Sequence, residues 1–90
     1  MPTPMPAGEV VKIRLVDGAV EPTMLTIAPG TTVRWVNETR QPQTITSVSG
    51  DWDSGDILPG KELNAIFKQP GTFEYSSRFQ KNLKATIIVK

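Results

Sequence analysis

Hydrophobic and polar residues alternate along most of the chain in short runs. The first run places Val11, Ile13 and Leu15 on one side and Lys12 and Arg14 on the other. This period of two is typical of a β-strand with one buried face. The strands predicted in this way span residues 10–16, 24–28, 31–37, 44–48, 62–67, 72–77 and 85–89.

The predicted strands are separated by turn-forming residues. Pro29-Gly30 predicts a tight turn, because Pro fixes φ and Gly accepts a positive φ. Residues 50–60 are polar and glycine-rich, which predicts a loop. Residues 62–67 fit both a helix and a strand, and we favour a strand because the segment is too short for a stable helix. Seven or eight short strands with frequent turns indicate an all-β sandwich or barrel.

The length of 90 residues indicates one domain. Residues 1–8 hold three prolines and predict an extended lead-in to a domain spanning residues 9–90. This start lacks the basic and apolar regions of a signal peptide. No apolar run is long enough to cross a bilayer, which argues against a membrane partner. A net charge of +1 without a continuous run of Lys and Arg argues against nucleic acid as a partner.

The chain contains neither cysteine nor histidine. It therefore has no disulfide and no thiolate nucleophile. It also lacks thiolate and imidazole, the two strongest side-chain ligands for zinc or copper. The commonest general base is also missing, and no base is visible near Ser77 in the sequence. We therefore expect no enzymatic activity.

Three blocks of sequence resemble the cupredoxins, the small blue-copper proteins, and are closest to the plastocyanin and amicyanin branch. Residues 27–37 read Ile-Ala-Pro-Gly-Thr-Thr-Val-Arg-Trp-Val-Asn, and residues 42–47 read Pro-Gln-Thr-Ile-Thr-Ser. The third block begins at residue 70 with Pro-Gly-Thr-Phe-Glu-Tyr and continues to residue 89. The resemblance covers nearly the whole domain and implies a Greek-key β-sandwich of seven or eight strands.

The resemblance assigns the four copper-ligand positions of the family to Gln43, Ser77, Gln80 and Leu83. The family has histidine, cysteine, histidine and methionine there, and the spacing of the last three is kept. Phe73, Tyr75 and Ser77 share strand parity, so Ser77 should point into the sandwich as a ligand cysteine would. A type 1 copper site needs two imidazoles and a thiolate. Neutral amides, a hydroxyl and an aliphatic side chain do not provide them, so we expect no metal and no cofactor here.

Each replacement roughly conserves volume, which keeps a core packed while removing copper binding. Two explanations fit: redesign into an inert scaffold, or a natural lineage that lost copper. The absence of all His and Cys favours design. The ligand loop also departs from the family at Lys81 and Ala85, where proline and glycine are common, and a minimal knock-out mutant would not need those changes. The leading hypothesis is a copper-free domain acting as a structural or binding module or as an inert scaffold. The alternative is type 1 copper electron transfer in altered form.

Several further residues have a functional and a structural interpretation. Trp35 and Trp52 suit a redox relay or a partner contact, but we expect Trp35 in the core and Trp52 partly exposed. The Asp51, Asp53 and Asp56 run suits a hard cation, but lacks the rest of a calcium loop, which favours a solvated turn.

Basic residues cluster around the predicted ligand loop. Arg78, Lys81 and Lys84 have no acid between them and suit an acidic partner, although a solvated rim is the simpler interpretation. We expect a monomer, with any protein partner binding at the former copper end. The family resemblance implies a periplasmic or extracellular location.

Overall fold

The computed structural model describes residues 9–80 and 83–90 and contains eight β-strands. They are β1 (Val10–Val16), β2 (Ala19–Glu21), β3 (Met24–Ile27), β4 (Thr31–Asn37), β5 (Thr46–Ser47), β6 (Glu62–Phe67), β7 (Gly71–Ser76) and β8 (Lys84–Val89). None of the described residues is helical, and none lies in a helix that could cross a membrane. The all-β prediction is confirmed.

The strands form two four-stranded sheets, with orders β2-β1-β4-β6 and β3-β8-β7-β5. Parallel pairs join β1 to β4 and β3 to β8, while the remaining neighbours are antiparallel. The chain therefore passes repeatedly between the sheets, as a Greek-key sandwich requires. The predicted sandwich is confirmed.

The core lies between the sheets and follows the alternation seen in the sequence. In β1, Ile13 and Leu15 are fully buried, and in β4, Val33 and Trp35 share the inward face. Trp35 packs edge-on against Tyr75 of the opposite sheet, with ring centroids 5.6 Å apart. Such edge-to-face pairs add to the stabilisation from burial itself. The core location expected for Trp35 is confirmed.

Most predicted strands match the observed ones within one residue. The bounds of β1, β4 and β6 are as predicted, and β6 half-buries Leu63, Ala65 and Phe67 at strand spacing. Gly30 has φ +92°, the positive value expected for the turn before β4. Where the alternation is regular, one face is buried and the strand is therefore identifiable from the sequence.

Two regions differ from the prediction. The short strand β2 is not predicted, because three residues after the Asp17-Gly18 turn are too few to show a period. The strand predicted over residues 44–48 is shortened to Thr46–Ser47, and Gln43 and Thr46 instead form isolated bridges to Ile57 and Asp53. The loop predicted over residues 50–60 therefore contributes backbone pairing. The predicted lead-in over residues 1–8 lies outside the described residues.

Candidate functional site

Three of the four predicted ligand positions lie together at one end of the sandwich. Gln43 precedes β5, and its backbone exchanges two hydrogen bonds with Ile57, at 3.0 and 2.7 Å. Ser77 follows the last residue of β7, and Gln80 lies in the connection to β8. The backbone bridge therefore positions Gln43, and the end of β7 positions Ser77, although the two residues are more than thirty positions apart in sequence.

The three polar side chains are directly hydrogen-bonded. Ser77 Oγ donates to Gln43 Oε1 at 2.7 Å. Gln43 Nε2 donates to Gln80 Oε1 at 3.1 Å and to Thr39 Oγ1 at 3.2 Å. We call these four side chains, of Thr39, Gln43, Ser77 and Gln80, the amide–hydroxyl network. They occupy one contiguous site, as the sequence predicted for Gln43, Ser77 and Gln80.

Ser77 uses its full hydrogen-bonding capacity within the site. Its hydroxyl proton goes to Gln43, and its oxygen accepts the backbone N–H groups of Thr44 at 3.1 Å and Phe79 at 3.3 Å. One donor and two acceptor lone pairs are all that a serine hydroxyl has. Ser77 is buried, as the strand parity predicted. It therefore ties the strand end, the Gln43 segment and the following turn together.

Asn37 holds Thr39, and through it the network, by hydrogen bonds. Neither Asn37 nor Thr39 was predicted as a site residue. Asn37 Oδ1 accepts from the Thr39 hydroxyl at 2.7 Å and from the Thr39 backbone N–H at 2.9 Å. Asn37 Nδ2 donates to the carbonyls of Gln41 at 2.9 Å and Ile57 at 2.7 Å. Both side chains are buried. The Asn-x-Thr spacing at a strand end is the only sequence signal, and it is common in turns.

Leu83 belongs to the hydrophobic core rather than to the polar contacts. It is buried against the core cluster, and its backbone N–H donates to the Gln80 carbonyl at 2.9 Å. The buried Gln80 Nε2 has no hydrogen-bond partner among the residues that the structure describes. The fourth position is therefore adjacent to the network but contributes packing only. The assignment of all four residues to the family's ligand positions stays a prediction.

The rim of the site contains an ion pair that sequence reasoning missed. Arg78 Nη2 lies 3.0 Å from Asp53 Oδ2. The Arg78 backbone N–H donates to Thr44 Oγ1, Thr44 and Thr46 share a hydrogen bond, and Thr46 Oγ1 donates to Asp53 at 2.6 Å. The sequence around Arg78 gives no sign of this pair, because the acid comes from the loop before β6 rather than from the neighbouring residues.

The rest of the predicted basic cluster is only partly described. Lys81 lies outside the described residues, and Lys84 begins β8 with an exposed side chain. The Asp51, Asp53 and Asp56 run forms no metal-binding group: no cluster of three His, Cys, Asp or Glu occurs within residues 9–80 and 83–90. Asp53 is instead engaged by Thr46 and Arg78, and Asp51 accepts from Ser49 at 2.7 Å.

The donor set at the site does not fit type 1 copper. The network offers amide oxygens, amide nitrogens and hydroxyls, and Leu83 offers no donor atom. Blue-copper sites use two imidazole nitrogens and a thiolate, with a weak axial ligand. In addition, the best oxygen donor, Gln43 Oε1, already accepts the Ser77 proton. The arrangement can therefore support a polar packing role, and it lacks the groups for copper redox chemistry.

One titratable group is strongly perturbed near the core centre. Burial raises the pKa of the single tyrosine, Tyr75, to about 12. Neither Tyr75 Oη nor Trp35 Nε1 has a hydrogen-bond partner among the described residues. The phenol is therefore neutral over the physiological range and acts as a packing group.

Comparison with known proteins identifies the family. The cupredoxin-like domain family matches residues 2–89. No curated protein sequence matches the chain significantly. Among solved structures, a purple cupredoxin from Nitrosopumilus maritimus is similar at 25% identity and a TM-score of 0.79, over 88% of this chain and 98% of that one.

Two further structures show the same fold at lower identity. A reduced variant of amicyanin is 17% identical, with a TM-score of 0.84, over 93% of this chain and 85% of that one. A copper-containing nitrite reductase from Thermus scotoductus is 20% identical, with a TM-score of 0.82, and the match covers 98% of this chain but only 25% of that one. With a family match over nearly its whole length and the sandwich described above, the chain belongs to the cupredoxin-like domain family.

Proposed function

We propose that this protein is a copper-free cupredoxin-fold domain that acts as a structural or binding module and does not transfer electrons. The observation that carries the proposal is the 2.7 Å hydrogen bond from Ser77 Oγ to Gln43 Oε1. It joins two of the predicted ligand positions directly to each other. Because the Ser77 hydroxyl and the Gln43 oxygen hydrogen-bond each other, both are satisfied without a metal ion between them.

The energetics of the network support a structural role. Buried polar groups cost free energy unless they are hydrogen-bonded. Gln43 is fully buried, and both its amide protons and its oxygen have partners. A satisfied Gln43 favours one arrangement of the segments that carry its partners, while Gln80 Nε2 has no partner among the described residues. We therefore expect the end of the sandwich to be ordered and stable without metal.

Copper titration tests the proposal. With its amino terminus blocked, the protein should stay colourless on addition of Cu(II) and bind it no better than an unstructured peptide. The reason is the absence of imidazole and thiolate ligands. Calorimetry measures the affinity, and visible absorption detects thiolate-to-copper charge transfer. Tight one-to-one binding would contradict the proposal, as would a melting temperature that falls when a chelator is added.

The same experiment separates the alternative of type 1 copper electron transfer in altered form. That function requires an intense visible band and a reversible one-electron potential. The donor set of Gln43, Ser77 and Gln80 argues against it. An inert scaffold and a binding module should both fail to bind copper. They differ in that an inert scaffold has no partner.

A second candidate function is docking of a protein partner at the same end. Phe79 is 48% exposed beside Gln80, and Leu58 is 53% exposed beside Ile57, whose backbone pairs with Gln43. Gln80 and Ile57 both hydrogen-bond to Gln43, so each exposed side chain is next in sequence to a partner of Gln43. Exposed aromatic and aliphatic side chains suit the centre of an interface. We propose a largely apolar partner surface and a monomer in its absence.

Sedimentation and cross-linking test this docking surface. Phe79→Ser should weaken association with a partner by about tenfold or more if Phe79 anchors the contact. Ile66→Ser, which changes a 58% exposed residue of β6, is the matched control and should have no effect. Equal effects of the two variants would contradict the assignment. We further propose an extracytoplasmic location and no enzymatic activity, in line with the family and the lack of His and Cys.

A further inference from the structure

A cavity lies between the loop after β5 and the first half of β7. None of its lining residues belongs to the amide–hydroxyl network. It is an open cavity of about 600 Å³, within the range of small-ligand sites. Its lining residues are Ser47, Val48, Ser49, Asp51, Trp52, Thr72, Phe73 and Glu74. The cavity therefore combines two aromatic rings with two carboxylates, and it contains no basic side chain in its lining.

Backbone hydrogen bonds hold one wall of this cavity in place. The Ser47 N–H donates to the Trp52 carbonyl at 2.9 Å and the Gly50 N–H donates to the Ser47 carbonyl at 3.1 Å. The Val48 N–H donates to the Glu74 carbonyl at 3.0 Å and fastens the loop to β7. The loop is thus closed on itself and attached to the sheet, so backbone hydrogen bonds fix this wall of the cavity.

The serine hydroxyls beside Asp51 are already committed. Ser49 Oγ donates to Asp51 Oδ2 at 2.7 Å, so the 2.7 Å contact between the Ser47 and Ser49 hydroxyls has Ser47 as its donor. Both hydroxyl protons are therefore used within the wall. What the wall offers to a ligand is mainly acceptor capacity, including the second carboxylate oxygen of Asp51.

The two carboxylates of the cavity belong to Asp51 and Glu74. Among the described residues, Asp51 and Glu74 have no cationic group within 4.0 Å, whereas Asp53 nearby is paired with Arg78. Trp52 and Phe73 are half-buried and pack against the core while they line the cavity. An indole face attracts a cation through its quadrupole, and two nearby negative charges add to that attraction.

We propose that this cavity, formed by Asp51, Trp52, Phe73 and Glu74, binds the ammonium group of an organic cation. In this arrangement Trp52 contacts the alkyl part of the ligand, and Asp51 and Glu74 supply the negative charge. Phe73 shares the inward parity of Tyr75 and packs against Phe67, so it closes the cavity on the core side. A bare divalent ion is disfavoured because the lining contains only two carboxylates, fewer than the oxygen ligands such an ion takes. A neutral sugar is disfavoured because the committed hydroxyls leave few donors for its oxygens.

Choline and Nα-acetyl-lysine methylamide are the probes, since a small quaternary ammonium ion and the ammonium group of a lysine side chain share this chemistry. Nuclear magnetic resonance of the two tryptophan indole N–H groups follows the titration, and Trp52→Phe assigns them. We expect the Trp52 signal to shift in a saturable way while that of buried Trp35 does not. The tighter of the two probes shows whether the site prefers a small quaternary ammonium ion or a lysine side chain of a peptide.

Charge and matched variants decide the outcome. Asp51→Asn and Glu74→Gln should each weaken choline binding by about two- to fivefold, as expected for exposed charge pairs. Asp56→Asn, an exposed acid of the same loop outside the cavity lining, should leave it unchanged. The neutral analogue with carbon in place of the choline nitrogen should bind more weakly by a similar or larger factor.

Three results would overturn the proposal. One is equal binding of choline and its neutral analogue, which would show that charge plays no part. Another is a choline affinity unaffected by Asp51→Asn and Glu74→Gln. The third is saturable binding of Ca²⁺ or glucose at this cavity without binding of either ammonium probe. None of these depends on the copper result, so the two proposals fail independently.

Discussion

At the scale of single residues, the site depends on one hydroxyl group. Ser77 donates to Gln43 and accepts from two backbone N–H groups, so its removal leaves three buried or partly buried groups without a partner. An unpaired buried polar group is more costly than a hydrogen bond is favourable. The residue that the resemblance places at the cysteine position is therefore a structural centre here.

Ser77→Ala should lower the free energy of unfolding by about 1–3 kcal/mol, since it leaves Gln43 Oε1 unsatisfied. Urea denaturation measures the change. Ser76→Ala is the control: Ser76 is the preceding residue, with opposite parity, half-buried, and should change stability by no more than about 0.5 kcal/mol. Similar losses for both variants would mean that the network contributes little.

Tyr75 determines a pH dependence of stability in the alkaline range. Its pKa is about 12 in the folded protein and about 10 in an unfolded chain. Between these values the unfolded state loses the proton and the folded state keeps it, so the unfolded state binds fewer protons. Linkage then requires that stability falls as pH rises through this window, by about 1.4 kcal/mol per pH unit.

Tyr75→Phe isolates this effect, because the chain has no other tyrosine. The variant should show a flatter decline of stability above about pH 10, with little change at neutral pH since the hydroxyl has no partner among the described residues. Denaturation at a series of pH values, with tyrosinate absorption as a second signal, measures both. An unchanged slope in the variant would contradict the assignment.

At the scale of elements, alternation identified the strands where one face is buried. In β8, Ile87 is fully buried while Ile88 is half-buried on the other face. β1, β4 and β6 show the same regularity, and their bounds were predicted from it. The short strands β2 and β5 were missed or misjudged, because two or three residues cannot display a period and their pairing depends on distant partners.

Ile87→Ala and Ile88→Ala test this alternation directly with the same chemical change. Ile87→Ala should cost about 2–5 kcal/mol, the usual range for a truncation in a packed core. Ile88→Ala removes less buried surface and should cost about 1 kcal/mol. Urea unfolding midpoints give both values. A reversed order would place the wrong face of β8 against the core.

At the scale of the whole molecule, the site exists only because distant segments meet. Gln43 comes from the segment before β5, while Ser77, Gln80 and Leu83 come from the β7–β8 connection. Gln43 Oε1 lies 2.7 Å from Ser77 Oγ, and Gln43 Nε2 lies 3.1 Å from Gln80 Oε1. Side chains so close together can reach a common metal ion if their chemistry is changed, since metal–ligand bonds are about 2.0–2.3 Å long.

Converting the four positions together should create a copper site. Gln43→His, Ser77→Cys, Gln80→His and Leu83→Met restore two imidazoles, a thiolate and a thioether, and nearly volume-conserving changes usually cost under about 1.5 kcal/mol each. Visible absorption on Cu(II) addition measures the outcome. The control carries only Ser77→Cys and should lack the intense band, because a lone thiolate does not complete the trigonal plane. A folded quadruple variant without that band would count against the assignment of these positions.

Much of the fold followed from the sequence alone. Regular alternation around residues such as Ile13 and Trp35 fixes which faces are buried, because burying one side of a strand is favourable only if that side is apolar. The turn at Pro29-Gly30 is a local matter of backbone sterics. The sequence also determined the inward direction of Ser77 by parity, and the lack of His and Cys by itself removes imidazole and thiolate from the available metal ligands.

Only the tertiary structure decided how the site is held together. Asn37 and Thr39, the Arg78–Asp53 pair and the cavity beside β7 all depend on contacts between segments that are far apart in sequence. Hydrogen bonds and ion pairs are short-ranged and directional, so their partners are determined once the sheets are packed and cannot be identified from spacing along the chain. The same short range explains why Gln43 satisfies Ser77, although neither residue reveals its partner locally.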